Sequence, residues 1–291
     1  MTRADVHAAV ADRLGSGAEA RWLLEEVLGP AGRTPDAHQA RRIDRLVERR
    51  RAGEPLQYLL GHWAFRHLDL LVDRRVLIPR PETEQLVDVA LDELARLCPP
   101  GRPPGPRGPR VVDLGTGSGA IALALMTEGP ARWPGLEVRA TDASADALAV
   151  AAENRIRVAD RWPDARRLEL HRGSWWDAVP ETDRGLVDLV VANPPYVAQA
   201  EWADLDVEVR AEPHRALVAG PGRRGEPGLA DIEAVLDGAG GFLRRPGTAV
   251  VEIAPAQSPA ARAAARRAGA SAVEVRPDLT GRDRMLVARW R

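Results

Sequence analysis

Residues 111–126 constrain this chain more than any other stretch. Val111-Val112-Asp113-Leu114 is a short apolar run of the kind that fills a buried strand, Gly115-Thr116-Gly117-Ser118-Gly119 follows at once, and 120–126 continues as an apolar helix. Three glycines in five positions let the backbone turn tightly and leave bare main chain for a ligand to approach. The helix that opens next directs its first amides at whatever sits there. Strand, glycine turn and helix in this order imply a parallel sheet, because the helix must carry the chain back before the next strand can begin.

The alternation continues downstream. Apolar runs of strand length stand at 136–140, 168–171, 186–192, 248–253, 272–275 and 285–289, and 145–158 reads as a further helix. The spacing predicts an α/β domain, Rossmann-like, with a mostly parallel sheet and helices on both faces. Ahead of it, 82–97 sets Leu86, Val89, Ala90, Leu94 and Leu97 on one helical face, with Pro81 where no amide donor is needed. A Pro/Gly-rich loop, 99–109, ends that helix. At the N-terminal end, apolar residues fall at helical spacing in the blocks 6–14, 18–28 and 43–47, which predicts a small helical domain. Arg49-Arg50-Arg51 closes the third block as a solvated helix end favoured by the helix dipole. Trp63 to Val72 partly alternates, with Asp73-Arg74-Arg75 and Val76-Leu77-Ile78 after it, so a β-hairpin turning at 73–75 is expected to link the domains. The expected division is a helical domain at 1–60, the hairpin at 61–78 and the sheet domain at 79–291.

A length of 291 residues suits one large α/β domain plus a small one, and 45% hydrophobic content excludes disorder over most of the chain. With 41 basic residues, all arginine, against 42 acids, the net charge is −1, so the chain lacks the global footprint of a nucleic-acid-coating protein. Cys98 has no disulfide partner, and His7, His38, His62, His67, His171 and His214 show no metal-ligand spacing. Neither an apolar signal region after Met1 nor a run long enough to span a membrane is visible. A cytoplasmic, metal-independent, monomeric enzyme is the expected class.

The glycine turn does not choose its ligand. Gly115-x-Gly117-x-x-Ala120 also satisfies the looser dinucleotide fingerprint, and Asp142, at the end of the next strand, stands where a carboxylate meets a ribose in either case. Asp142 or Ser144 is equally suited to capping the helix that follows, and Asp113 either faces a cationic cofactor or orders the turn.

The chemistry is written further on. The buried-strand run 186–192 delivers Asn193-Pro194-Pro195-Tyr196 to the same edge of the sheet, and the paired prolines hold that turn rigid. An amide NH2 is a poor nucleophile because its lone pair is delocalised. A catalyst for its alkylation must hold both hydrogens with acceptors and aim the nitrogen. The Asn193 side-chain oxygen and the Pro194 carbonyl suit that task, and Tyr196 offers a flat face for the amide plane. A dehydrogenase would need an acid residue near a nicotinamide that cannot be picked out here. An adenine-N6 nucleic-acid methyltransferase would need a basic cleft and a recognition domain.

The glycine turn 113–119 together with Asn193-Pro194-Pro195-Tyr196 resembles the class I S-adenosylmethionine-dependent methyltransferases that modify planar nitrogens. Glu54-Pro55-Leu56-Gln57-Tyr58, Gly61, Phe65 and Leu77-Ile78-Pro79-Arg80-Pro81-Glu82-Thr83-Glu84 narrow this. Over nearly its whole length the chain is similar to the bacterial release factor glutamine methyltransferases, the PrmC or HemK family. The related ribosomal-protein glutamine methyltransferases share the Asn-Pro-Pro-Tyr loop but usually lack the Arg-Pro-Glu-Thr-Glu run. The resemblance implies methyl transfer from S-adenosylmethionine to the side-chain nitrogen (N5) of the glutamine in the Gly-Gly-Gln loop of peptide chain release factors. It also implies cofactor contacts at Gly115, Thr116, Gly117, Ser118, Gly119, Asp142, Trp175 and Asn193. The target glutamine would lie against Asn193, Pro194, Pro195 and Tyr196, with Asn193, Pro194 and Tyr196 catalytic. Trp175 has a neighbour, Trp176, that competes for the adenine contact. The chain departs from the family at 222–229, a longer and more basic loop where Asp-Gly-Leu is usual, and at Ala254, where glycine is usual.

Overall fold

The computed structural model describes residues 2–29, 34–99 and 108–291; most of the expected Pro/Gly loop at 99–109 lies outside them. The N-terminal helices are α1 (Arg3–Leu14), α2 (Gly17–Leu28), α3 (Ala37–Arg51) and α4 (Leu56–Leu60). α1 starts at a capping box between Thr2 and Asp5, and α3 at one between Asp36 and Gln39. The second box explains why α3 begins well before the apolar block at 43–47 that revealed it. Val6, Leu23, Leu24, Ile43 and Val47 close a small core of their own, to which Leu56 and Leu59 of α4 contribute.

A hairpin follows, β1 (His62–Phe65) and β2 (Leu68–Leu71), with Phe65 opposite Leu68. Its turn is therefore Arg66-His67 and not the expected 73–75, and Val76-Leu77-Ile78 forms no strand. No glycine or asparagine marks this turn. Arg66 takes a left-handed φ of 53° and is held from outside: its amide donates to Glu84 Oε1 at 2.9 Å and its guanidinium grips Glu128 at 2.6 and 2.8 Å. The Asp73-Arg74-Arg75 turn exists as well, with the Arg75 amide on Asp73 Oδ1, but it feeds an irregular segment whose Val76 and Ile78 are buried.

The sheet domain contains α5 (Pro81–Leu97), β3 (Arg110–Leu114), α6 (Ala120–Glu128), β4 (Glu137–Asp142), α7 (Ala145–Ala159), β5 (Glu169–Arg172) and β6 (Val187–Ala192). Then come β7 (Val197–Ala198), α8 (Val207–Arg210), α9 (His214–Leu217), β8 (Val218–Ala219), α10 (Ala230–Phe242), β9 (Leu243–Glu252), α11 (Ser258–Arg267), β10 (Ala272–Pro277) and β11 (Asp283–Trp290). Pro81 occupies the first turn of α5, as its missing amide predicts. Seven strands pair in the order β10-β11-β9-β6-β3-β4-β5. The five from β9 to β5 are parallel, and β11 inserts antiparallel between β9 and β10.

Successive strand residues feed opposite cores, as the two-residue period requires. Val111, Leu189 and Val191 pack under α5 and α6, whereas Val112, Val190 and Ala192 pack under α10 and α11. α10 carries Gly238 because a Cβ there would stand 2.1 Å from the Trp176 indole. That close approach hid the helix from a reading based on apolar spacing.

Candidate active site

β3 and β6 are neighbours in the sheet, yet the chain leaves β3 toward β4 on one side and reaches β6 from the other. Their carboxyl ends therefore straddle the point where strand order reverses, the place where open α/β sheets bind ligands. The glycine turn follows β3 and the Asn-Pro-Pro-Tyr loop follows β6, so topology brings together two segments almost 80 residues apart, a separation of about the length of a small domain. A cavity of about 470 Å³ opens there.

The turn is pinned from below. The Gly115 and Thr116 amides donate to the Thr141 carbonyl at 2.9 and 2.8 Å, and the Gly117 amide donates to Asp142 Oδ2 at 2.9 Å. Gly117 has φ +55° and nothing within 4 Å of where a Cβ would stand. Asp142 also accepts the Ser144 amide at 2.8 Å, while the Ser144 hydroxyl caps α7 through the Ala147 amide. Of the two residues suited to capping α7, Ser144 takes the cap, while Asp142 ties the glycine turn to the Ser144 amide and lines the cavity. Burial pushes its carboxyl above the usual range, against the two amides that pull it down. Asp113 is wholly buried beneath the turn and accepts from the Thr116 hydroxyl at 2.6 Å; burial pushes its carboxyl up to about 7.

Of the residues singled out from sequence, Gly115, Gly117, Asp142, Trp175, Asn193 and Pro195 line the cavity. Thr116, Ser118, Gly119, Pro194 and Tyr196 do not. Thr116 turns to Asp113, the Ser118 carbonyl accepts from Asn154 at 2.9 Å, and Gly119 abuts Leu123 and Ala151. The tryptophan pair divides its labour. Trp175 lies against Gly115, 3.3 Å from where a Cβ would stand, and its indole reaches Asp231 at 3.3 Å, whereas Trp176 stacks on Phe242 and donates to the Val235 carbonyl.

The Asn-Pro-Pro-Tyr loop is clamped at its far end. The Tyr196 amide donates to the Leu217 carbonyl at 3.2 Å, its carbonyl accepts from Gln257 Nε2 at 3.0 Å, and β7 pairs with β8 directly afterwards. Asn193 Nδ2 donates to the Thr83 hydroxyl at 3.1 Å. Among the described residues no hydrogen bond reaches Asn193 Oδ1, nor the Asn193 and Pro194 carbonyls. The Tyr196 ring packs against the core beneath α10, and burial pushes its hydroxyl up to about 12. Sequence reasoning missed Asp231 and Arg215, which line the same cavity from the start of α10 and from α9. Arg215 follows Pro213 and Asp231 follows Pro227-Gly228, but those signals mark only helix starts, and the fold alone carries the two side chains to the strand ends. Among the described residues no group of His, Cys, Asp and Glu is arranged to hold a metal ion, and no helix is long and apolar enough to cross a membrane.

A doubly wound sheet whose last strand inserts antiparallel, with a glycine turn opening on the switch-point cavity, defines a class I S-adenosylmethionine-dependent methyltransferase. Residues 99–219 match the family described as "Methyltransferase small domain" and residues 10–61 the "PrmC N-terminal domain". A release factor glutamine methyltransferase of Deinococcus radiodurans is 41% identical over 282 residues, covering 93% of this chain and 90% of that one. The protein of the same name in Cereibacter sphaeroides is 39% identical over 304 residues, 99% of both chains. The chain belongs to the release factor glutamine methyltransferase family. Among solved structures, the hMettl16 catalytic domain in complex with MAT2A 3′UTR hairpin 1 superposes with a TM-score of 0.53 over 98% of this chain and 90% of that one. At 15% identity this shows a shared fold alone.

Proposed function

We propose that this chain transfers a methyl group from S-adenosylmethionine to the side-chain amide nitrogen (N5) of the glutamine in the Gly-Gly-Gln loop of peptide chain release factors. The observation that carries the reading is the pair of unspent acceptors, Asn193 Oδ1 and the Pro194 carbonyl, in a rigid loop that begins at the cavity wall. The cavity residues suit the cofactor: the Asp142 carboxylate retains lone pairs for ribose hydroxyls, and the Trp175 ring offers a face for an adenine. When bound, the cofactor supplies a methyl group activated by a sulfonium.

Asn193 and Pro194 hold the two amide hydrogens and so fix where the nitrogen lone pair points, which replaces a search in solution with a positioned approach. A nitrogen that accepted the methyl group would become positive, and the two oxygens that hold its hydrogens would stabilise that charge. One of those protons then leaves to solvent, so no strong base is required. Tyr196, protonated at neutral pH, serves through its ring. The helical block at 1–60 engages the body of the release factor, because a lone glutamine supplies too little binding energy to orient a weak nucleophile.

The test is mass spectrometry of a release factor incubated with this protein and methyl-labelled S-adenosylmethionine. The expected outcome is one added methyl on the glutamine of Gly-Gly-Gln. Label on another residue, or on none, overturns the reading.

A further inference from the structure

Behind the Asn-Pro-Pro-Tyr loop lies a hydrogen-bond chain that reaches the proposed site only through Asn193. Thr83, in the first turn of α5, is buried, and so is Glu252, the last residue of β9. β9 runs beside β6 with Val251 opposite Ala192, so Glu252 leaves the sheet next to Asn193. The Thr83 hydroxyl donates to Glu252 Oε2 at 2.8 Å, and Asn193 Nδ2 donates to that same hydroxyl oxygen at 3.1 Å.

The direction of both bonds follows from the donors available. A carboxylate only accepts, and a hydroxyl has a single hydrogen. With that hydrogen spent on Glu252, Thr83 has only lone pairs to offer, so Asn193 must turn its NH2 toward Thr83 and keep Oδ1 for the ligand. We propose that Thr83 and Glu252 are positioning residues that fix the polarity of Asn193, so that the site presents an acceptor and selects a target bringing N–H donors, an amide rather than a carboxylate. This rests on the reading of Asn193 as the acceptor for the target amide.

Protonating Glu252 releases the constraint. A carboxylic acid can donate to Thr83, the hydroxyl can then donate to Asn193 Oδ1, and the acceptor is lost to the site. The groups facing Glu252 are Thr83 and Glu82 from α5, Arg80 just before it, Arg284 from β11 and Tyr196 from the loop after β6. Burial pushes the carboxyl up to about 7, with Glu82 adding to the rise and Thr83, Arg284 and Arg80 opposing it. The release therefore falls near neutral pH, and methyl transfer rises as pH increases through it.

Single-turnover methylation of intact release factor at saturating cofactor, with cofactor affinity measured by calorimetry for each variant, tests the chain. Thr83→Val should slow transfer by about 10- to 10²-fold, the scale of a misaligned reacting group, with cofactor and release factor affinities unchanged. Thr83→Ser, which restores the hydroxyl, should recover most of the rate. Glu252→Gln should be slow and flat with pH where the wild type rises, because a neutral amide can face Thr83 with either end. Asn193→Ala, run alongside, separates the two readings. If it is slow while Thr83→Val is as fast as wild type, or if Thr83→Ser is as slow as Thr83→Val, the positioning role is overturned and the acceptor role stands. If Asn193→Ala is itself fast, the acceptor role falls and the positioning role with it.

Discussion

Tyr196 carries a hydroxyl that amide methylation does not need. Burial, with Glu252 nearby, pushes that hydroxyl up to about 12, so it stays protonated at neutral pH and cannot take a proton from the target. Its ring, by contrast, packs on the core beneath α10, and its main chain is held at both the amide and the carbonyl. Tyr196→Phe should therefore slow single-turnover transfer by less than about threefold, under about 0.7 kcal/mol of barrier. Tyr196→Ala should slow it by roughly 10²-fold through a loosened loop. A large loss in the phenylalanine variant would assign the hydroxyl a hydrogen-bonding task. At this scale the sequence picks out Asn193, Pro195 and Asp142, which the structure brings to one cavity, because the strand ends and turns that carry them are marked by local glycine and proline signals. Glu252 was not legible. A lone glutamate ending an apolar strand reads as an ordinary solvated strand end, and only the parallel pairing of β9 with β6 brings it beside Asn193.

Among the elements, the structure gives the 222–229 segment, expected from sequence to differ from the family, a task. The Arg223 amide donates to Glu233 Oε2 at 2.8 Å, and Gly228, at φ +63°, lies so close to the loop that a Cβ would stand 2.2 Å from the Tyr196 carbonyl oxygen. Gln257 Nε2 ties the Tyr196 and Pro227 carbonyls together at 3.0 Å each. The segment thus backs the Asn-Pro-Pro-Tyr loop and keeps it in register with the cavity. Gly228→Ala should lose about 1–3 kcal/mol of stability and slow transfer, since both the left-handed backbone and the Tyr196 carbonyl resist the methyl group. Gly225 is the control. Its φ is +86° but nothing lies within 4 Å of where a Cβ would stand. Gly225→Ala should therefore cost about 1 kcal/mol and leave the transfer rate alone. Thermal denaturation read beside single-turnover rates separates the two, and equal rates for both variants would remove the backing role. The regular elements were legible wherever apolar period and punctuation agree, as at α5 with Pro81. They were not legible where tertiary contacts override local signals, as in the Arg66-His67 turn held by Glu84 and Glu128.

In the whole molecule, the helical block and the sheet domain keep separate cores, joined through α4, through the Arg50–Glu208 ion pair at 2.7 Å and through Trp22 against Trp63. Leu56 and Leu59 close the helical core, while Tyr58 faces the other way, packing with Val72, Val76, Ile78 and Val150 and donating to the Val76 carbonyl at 2.5 Å. Val76 in turn lines the cavity. A cut that removes Tyr58 would therefore damage the cofactor site for trivial reasons, and the division at residue 60 expected from sequence is too late for a clean experiment. Removing residues 1–53 instead leaves Tyr58 in place, and Glu54 keeps its ion pair with Arg74 at 2.9 Å. Changing Leu56 and Leu59 to glutamine spares the shortened chain a bared apolar face. The sheet domain so trimmed retains every residue that lines the cavity, so its affinity for S-adenosylmethionine should match that of the full chain by calorimetry. If the helical block engages the release factor as proposed, turnover on intact release factor should collapse for want of remote contacts to orient the glutamine. The loss should appear in kcat/KM for the release factor and should far exceed any loss on a short Gly-Gly-Gln peptide, which never reaches the helical block. Equal turnover of the release factor by the trimmed and full-length proteins would show that the sheet domain alone recognises its substrate.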